Sequence, residues 1–308
     1  MINKIKISVP ACIGNIGSGF DCIGVSVKLF NEFIFEKCGG DFLPASEPMI
    51  GKDDKNLCVR VFQETCSIYG AKPPFFRVRI KNNIPPGKGL GSSGTEVIAG
   101  AIAGMLVSNI IIEPMEILRI GKKFEGHLDD IAASLFGGLV IVGQDNGQPV
   151  WKKIDIPENI NAVFFISEKP YETKKARNIL PRQVSLSDAV YNISRACFLQ
   201  YGFLEKNKEF LRIGTQDRLH QIYRKKLYPH FEPLYKSALK TGAAGCCLSG
   251  AGPSVVAFCF GNSSGIVHGW EQLIKNKRMK GEIKIFTLGG ETIWTTIDTD
   301  QTRRIYTC

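Results

Sequence analysis

Two hydroxyls, Ser92 and Ser93, close a stretch in which glycine takes three of the five preceding positions: Pro85, Pro86, Gly87, Lys88, Gly89, Leu90, Gly91, Ser92, Ser93. Glycine has no Cβ, so successive backbone N–H groups can turn inward on an anion. Residues 94–108 then mix small residues with Ile98, Ile102, Met105 and Leu106, which predicts a buried helix. A glycine-rich turn feeding a helix N-terminus gathers free N–H groups and the positive end of the peptide dipoles, which makes a phosphate cradle. Lys88 adds a cation, and either serine could hold a metal ion or a phosphate oxygen. Glycines alone would also suit a hairpin ahead of a core helix; the nine-residue order with paired serines favours phosphate. Neither common phosphate loop is present, because no strand-borne G-x-G-x-x-G occurs and Lys88 does not directly precede a serine.

Three other segments concentrate polar groups on turns. Asn15 and Asp21 stand at the two ends of a glycine-containing turn. Glu125-Gly-His127-Leu128-Asp129-Asp130 packs three carboxylates and an imidazole into six residues, and Ser249-Gly250-Ala251-Gly252-Pro253-Ser254 forms a second glycine turn. Each has a plain structural reading: an Asx turn, a polar loop, a hairpin. Their coexistence with the phosphate loop favours a binding site.

The elements that must carry these groups can be read from periodicity. Residues 4–9, 24–35 and 75–81 read as strands, 92–108 and 114–124 as helices, and 136–142 as a buried strand. After a proline-marked break at 156–159, a central strand is expected at 162–166. Helices follow at 173–179, 186–203, 207–213 and 233–240, strands at 245–248 and 254–260, a helix at 266–275 and a strand at 283–288. The expected architecture is α+β: two domains, residues 1–155 with the phosphate loop and residues 156–308, sharing a central crevice.

Composition narrows the class. At 44% hydrophobic and 22% charged residues, the 308-residue chain is that of an ordinary globular protein with material for a real core. No apolar run is long enough for a membrane span, and no secretory signal opens the chain. Ten cysteines without a C-x-x-C pair, and only four histidines, give no zinc spacing. Reduced thiols in a cytoplasm are expected. The net charge of +10 comes without aromatic interleaving or a recognition motif, so no nucleic-acid partner is expected. The basic clusters at 224–226 and 275–280 read as solvated surface or as a field for a small polyanion.

Together the four segments resemble the GHMP kinases. Pro85 to Ser93 matches the family's P-x-G-x-G-L-G-S-S, Ser249 to Ser254 its C-terminal glycine motif, and the Pro10 to Asp21 region its N-terminal motif. The resemblance covers the chain from Ile5 to the 280s and is strongest to members that act on homoserine. Those members carry N-L-G-x-G-F-D like Asn15 to Asp21, E-G-H-P-D-N followed by G-G like Glu125 to Gly138, and T-x-x-A-R-x-x-L-P like Thr173 to Pro181. Their R-x-x-x-x-P segment is similar to Arg224 to Pro229.

The resemblance implies a two-domain GHMP kinase fold, with an N-terminal α/β domain bearing the phosphate loop and a C-terminal α+β sandwich. It implies transfer of phosphate from ATP to the side-chain hydroxyl of L-homoserine, with Mg²⁺ on Ser93 and Glu125, and it suggests a homodimer. Arg177 and Arg224 would hold the α-carboxylate. Asp21 and Asp129 would receive the ammonium, with Asn15, His127 and Gly250 beside them. Asp21, Thr173 and Arg177 would flank the reacting hydroxyl, Asp21 either accepting its proton or only binding the ammonium. A GHMP kinase for mevalonate or a sugar, or a non-catalytic protein of this fold, are the alternatives. Four positions depart from the family: Cys12 for a small hydroxylated residue, Gly94 for alanine, Leu128 for proline and Asp130 for asparagine.

Overall fold

The computed structural model describes residues 2–38, 55–72, 76–171, 173–298 and 303–308. Two strands, β1 (Ile2–Gly14) and β2 (Ile23–Lys37), form a long antiparallel pair; α1 (Leu57–Ile68) and β3 (Phe76–Lys81) follow. Next come α2 (Ser92–Val107), α3 (Pro114–Glu125), α4 (Asp129–Phe136), β4 (Leu139–Asp145) and β5 (Gln148–Ile154). The remainder is β6 (Ile160–Ser167), α5 (Thr173–Asn178), α6 (Leu186–Leu204), α7 (Lys208–Gly214), α8 (Gln221–Arg224), α9 (Phe231–Lys240), β7 (Gly245–Leu248), β8 (Val255–Phe260), α10 (Ser264–Lys277), β9 (Gly281–Thr287), β10 (Ile293–Asp298) and β11 (Arg303–Thr307).

A seven-stranded sheet runs β11-β10-β1-β2-β4-β5 with β3 also on β2, and a four-stranded sheet runs β7-β8-β6-β9. Every described strand pairing is antiparallel, which makes the architecture α+β as read from the sequence. The last two strands, far beyond residue 156, join the first sheet beside β1.

Three cores follow from strand periodicity. In β6, Ala162, Phe164 and Ile166 enter the core shared with the large sheet, while Val163 and Phe165 enter the one under α9 and α10. A strand buried on both faces reads as an unbroken apolar run, which is why 162–166 was legible. The β1–β2 pair slips register between Pro10 and Ala11. Before the slip, Ile5, Ile7 and Val9 pack under α1 to α4; after it, Ala11 and Ile13 pack against the second sheet. That slip delivers the end of β1, and the turn beyond it, to the junction of the two sheets.

Helix α2 is anchored by absence of side chains. A Cβ on Gly100 would lie 2.6 Å from the Cys58 carbonyl oxygen, and one on Gly104 would lie 2.6 Å from the Thr65 Cβ. The close crossing with α1 fixes where the N-terminus of α2 points.

Candidate active site

A cleft of about 600 Å³, including its open mouth, lies where the two sheets meet. One end is made of backbone. Gly87, Gly89 and Gly91 have φ of 67°, 79° and 72°, and Gly91 is the residue before the first turn of α2. Alternating left-handed positions turn amides to one side, which is the anion-holding geometry anticipated for this loop. The loop is laced to the second sheet. The Tyr171 N–H donates to the Gly87 carbonyl at 2.9 Å and the Ser249 hydroxyl to the Gly89 carbonyl at 2.6 Å. Lys88 Nζ donates to the carbonyls of Ser167, at 2.6 Å, and Glu168.

Gly87, Gly89, Leu90, Gly91, Ser92 and Ser93 line the cleft; Pro85, Pro86 and Lys88 do not. Lys88 is therefore a tether in this structure, and burial holds its pKa below that of an ordinary lysine. Ser93 Oγ donates to Glu125 Oε1 across the mouth beside the loop. A hydroxyl and a carboxylate side by side are hard oxygen donors of the kind a divalent cation takes, so this pair fits Mg²⁺.

The other end is made of side chains. The two terminal guanidinium nitrogens of Arg177, on α5, donate to the two carboxylate oxygens of Asp21 at 2.8 Å. Asp21 sits at φ 56° in the turn after β1, its N–H capped by Asn15 Oδ1 at 2.9 Å. The Phe20 ring lies under both arginines, with the Arg177 and Arg224 guanidinium carbons 5.7 and 5.4 Å from its centre.

Arg224 is 1% exposed and points inward, whereas Lys225 and Lys226 are exposed, so the solvated reading of 224–226 holds for the two lysines and fails for the arginine. Its guanidinium donates to the carbonyls of Ala176 at 3.2 Å and Gly250 at 3.4 Å, and to His220 Nδ1 at 3.1 Å. A guanidinium has no acceptor, so Nδ1 must accept, and Nε2 carries the proton donated to the Gly17 carbonyl at 2.8 Å. His220 is thus neutral, and burial pushes its pKa down in agreement. Asp217 anchors this segment, its oxygens accepting from the N–H groups of Leu219, His220 and Gln221 and from Asn192 Nδ2.

Sequence reading missed Asp217, His220, Asn192 and Phe20. The signal was Asp217-His220-Gln221-Arg224, whose spacing puts a carboxylate ahead of a helical turn and an imidazole one turn before the arginine.

His127 lines the cleft, and its Nδ1 lies 2.8 Å from Asp129 Oδ1. Burial works against a charged ring, yet the hydrogen bond and charge of Asp129, with Asp130 and Asp21 beyond, push His127 up to about 10. Asp129 is 1% exposed and does not line the cleft. Burial alone would raise its carboxyl; the bonds from His127 and the Asn15 N–H hold it low. It stands behind His127 and Asn15 rather than among the lining groups. Asp130 does line the cleft, accepts from Cys12 Sγ at 3.3 Å, and is pushed up to about 7 by burial and then by the charge of Asp129. Gly250 and Asn15 line the cleft as anticipated. Thr173 opens α5, but its side chain lies outside the described residues.

The sequence matches the family model for the GHMP kinases N terminal domain over residues 56–138 and that for the GHMP kinases C terminal over 194–274. The chain belongs to the GHMP kinase family. Relatives of this GHMP kinase named homoserine kinase include one from Clostridium botulinum, 34% identical over 90% of this chain and 93% of its own. Another, from Caldicellulosiruptor bescii, is 37% identical over 82% of this chain and 83% of its own. Among solved structures, a homoserine kinase from Cytophaga hutchinsonii superposes with a TM-score of 0.81 at 25% identity, covering 99% of this chain and 98% of that one. The Methanococcus jannaschii mevalonate kinase shares the fold at a TM-score of 0.65 and 17% identity, over 92% of this chain and 97% of its own. Membership makes the chain an ATP-using small-molecule kinase, and no described helix is long and apolar enough to cross a membrane.

Proposed function

We propose that this kinase transfers the γ-phosphoryl group of ATP to the side-chain hydroxyl of L-homoserine, giving O-phospho-L-homoserine and ADP. The observation that carries the reading is the amino-acid end of the cleft. Two arginines and one aspartate converge there, opposite a glycine loop suited to phosphates. An acceptor with an α-carboxylate and an α-ammonium uses all three; mevalonate and sugars have no ammonium to offer Asp21. Arg177 and Arg224 bind the carboxylate, Asp21 the ammonium, and Asn15, His127 and Gly250 orient it. Asp129 positions His127 and Asn15.

Amides of Gly87, Gly89, Leu90 and Gly91, with Ser92, hold the phosphates. Ser93 and Glu125 hold Mg²⁺, which when bound offsets phosphate charge. Phosphoryl transfer has a loose transition state, so in-line positioning of the hydroxyl matters more than a strong base.

A coupled assay with homoserine, mevalonate, galactose and no acceptor tests this: ADP release should require homoserine. Equal rates with mevalonate or galactose would overturn it. Glu125→Gln should depress activity steeply, with partial recovery in excess Mg²⁺, and a normal Mg²⁺ titration would remove Glu125 from the metal site.

The ten cysteines, all free thiols, support a cytoplasmic location. A homodimer through α6 is part of the same reading. Leu186, Val190, Ile193, Tyr201 and Leu204 are exposed at helical spacing along one face, Leu186 by 81%. Such a stripe, apolar at both ends, matches a second copy run antiparallel about a two-fold axis. Leu186→Glu with Ile193→Glu should then halve the mass seen by light scattering; an unchanged mass would reject this face.

A further inference from the structure

The two groups given opposite tasks toward the amino acid are bonded to each other. Arg177 and Asp21 satisfy both carboxylate oxygens at 2.8 Å, with side chains 41% and 31% exposed at the cleft. Arg224, beside them, has no carboxylate within ion-pair distance among the described residues. Its partners are two carbonyls and the neutral His220. The amino-acid end thus holds one closed ion pair and one buried cation lacking a counter-charge.

Charge bookkeeping then discriminates between acceptors. A zwitterion can open the pair and leave nothing unpaired, since its carboxylate replaces Asp21 on Arg177 and reaches Arg224 while its ammonium replaces Arg177 on Asp21. An acceptor with only a carboxylate must leave Asp21 unpaired in a desolvated cleft, or leave the pair closed and use Arg224 alone. An acceptor with only an ammonium leaves Arg177 unpaired. Truncating one partner of a charge pair penalises the other, and exclusion by an unpaired group is a recognised route to specificity.

We infer that the Asp21–Arg177 ion pair is the specificity device of this kinase: a built-in stand-in for the zwitterion that only an acceptor carrying both charges displaces without loss. The inference rests on the homoserine reading and concerns how single-charge acceptors are rejected. Asp21 and Arg177 then act against wrong acceptors as well as for the right one.

The test compares kcat/KM for L-homoserine, 4-hydroxybutanoate (no ammonium) and 3-aminopropan-1-ol (no carboxylate) in the wild type, Asp21→Asn and Arg177→Gln. Asparagine tolerates a φ of 56°, so Asp21→Asn should fold. Freed from the pair, Arg177 should let Asp21→Asn use 4-hydroxybutanoate at least tenfold better than the wild type does, while homoserine falls ten- to a hundredfold. Arg177→Gln should show the mirror gain for 3-aminopropan-1-ol. Equal losses on homoserine and 4-hydroxybutanoate in Asp21→Asn would overturn the inference and make Asp21 a group for the chemical step. A wild type that does not phosphorylate homoserine would instead overturn the function reading, which is a separate result.

Discussion

The two ends of the cleft are built from different material. The phosphate end is backbone: alternating glycines whose carbonyls are tied to Tyr171 and Ser249, feeding α2. The amino-acid end is side chain: Asp21 on Arg177, His220 under Arg224, Asp129 behind His127. Backbone recognition leaves little to adjust, because a single Cβ changes its shape. Side-chain recognition can be retuned one charge at a time. The phosphate end therefore suits the part of the reaction common to a kinase family, and the amino-acid end the part that distinguishes its members.

Gly89→Ala is the harshest challenge to the backbone end. The new Cβ would stand 2.2 Å from the Ser249 carbonyl oxygen and 2.8 Å from that of Gly252, at φ 79°. Both neighbours are main chain and cannot swing away. Loss of several kcal/mol of stability and at least a hundredfold in kcat is expected, roughly the scale of a severe steric and backbone defect. Thermal unfolding and a steady-state assay check it; a stable, active variant would show that the loop is looser than its packing.

Arg224→Ala addresses the side-chain end. Removing a charge-assisted contact should cost ~1.5–3 kcal/mol, about ten- to a hundredfold in KM for homoserine, with KM for ATP little changed. Equal effects on both substrates would erase the division between the two ends.

Asp130 lies between them and sharpens the boundary through pH. Its folded pKa of about 7 lies above an ordinary carboxyl. Its stabilising contribution is therefore complete below about pH 4 and is lost as pH rises through about 7. Asp130→Asn should gain in melting temperature over the wild type from pH 5 to pH 8, by ~2–4 °C if the gain is about 1 kcal/mol. A pH-independent difference would mean that Asp130 ionises like a surface carboxyl. The charges that set this are Asp129, His127 and Glu125, together with the Cys12 thiol.

Gly94→Ala has the smallest expected effect. Gly94 is buried in the first turn of α2, and an added Cβ would meet the Ile131 Cδ1 at 3.4 Å and the Asp130 Cβ at 3.9 Å, which are ordinary contacts. Stability should rise by about 0.5–1 kcal/mol, the helix preference of alanine over glycine, with activity retained. A destabilised or inactive variant would mean that ATP needs the bare backbone there.

The same contrast governs what the sequence could reveal. A backbone site is contiguous, so Gly87 to Ser93 announced itself in the order of its residues. The side-chain site is assembled from positions 15, 21, 127, 177, 224 and 250, which resemblance to a family collected and periodicity could not. Residues acting through others, Asp217 and His220, stayed hidden because a buried carboxylate and imidazole look like surface groups until the fold encloses them. Elements were lost for related reasons. Helix α4 has eight residues and opens on Asp129 and Asp130, so it reads as a polar loop, although acids in a first turn are a helix-start signal. Strand β5 is an exposed edge, and the Asn146-Gly147 turn before it was the readable cue. Strands β10 (IWTTID) and β11 (RRIYT) set polar and apolar residues in pairs rather than in alternation, so no period-two pattern marks them; the pairing of β10 with β1 and of β11 with β10 explains them.

That placement governs how the chain is assembled during synthesis. Ile2 to Ser8 pair with Asp298 to Ile293, so β1 waits for a partner that is synthesised long after it. Until residues 293–298 leave the ribosome, one side of β1 is an unsatisfied sheet edge and the core beneath α1 to α4 lacks Trp294. The large sheet therefore cannot finish as a separate nascent unit, despite holding most of the phosphate end. A chain released shortly before residue 293 would carry the whole glycine loop and still present an open edge, a species for chaperones to hold rather than a smaller enzyme.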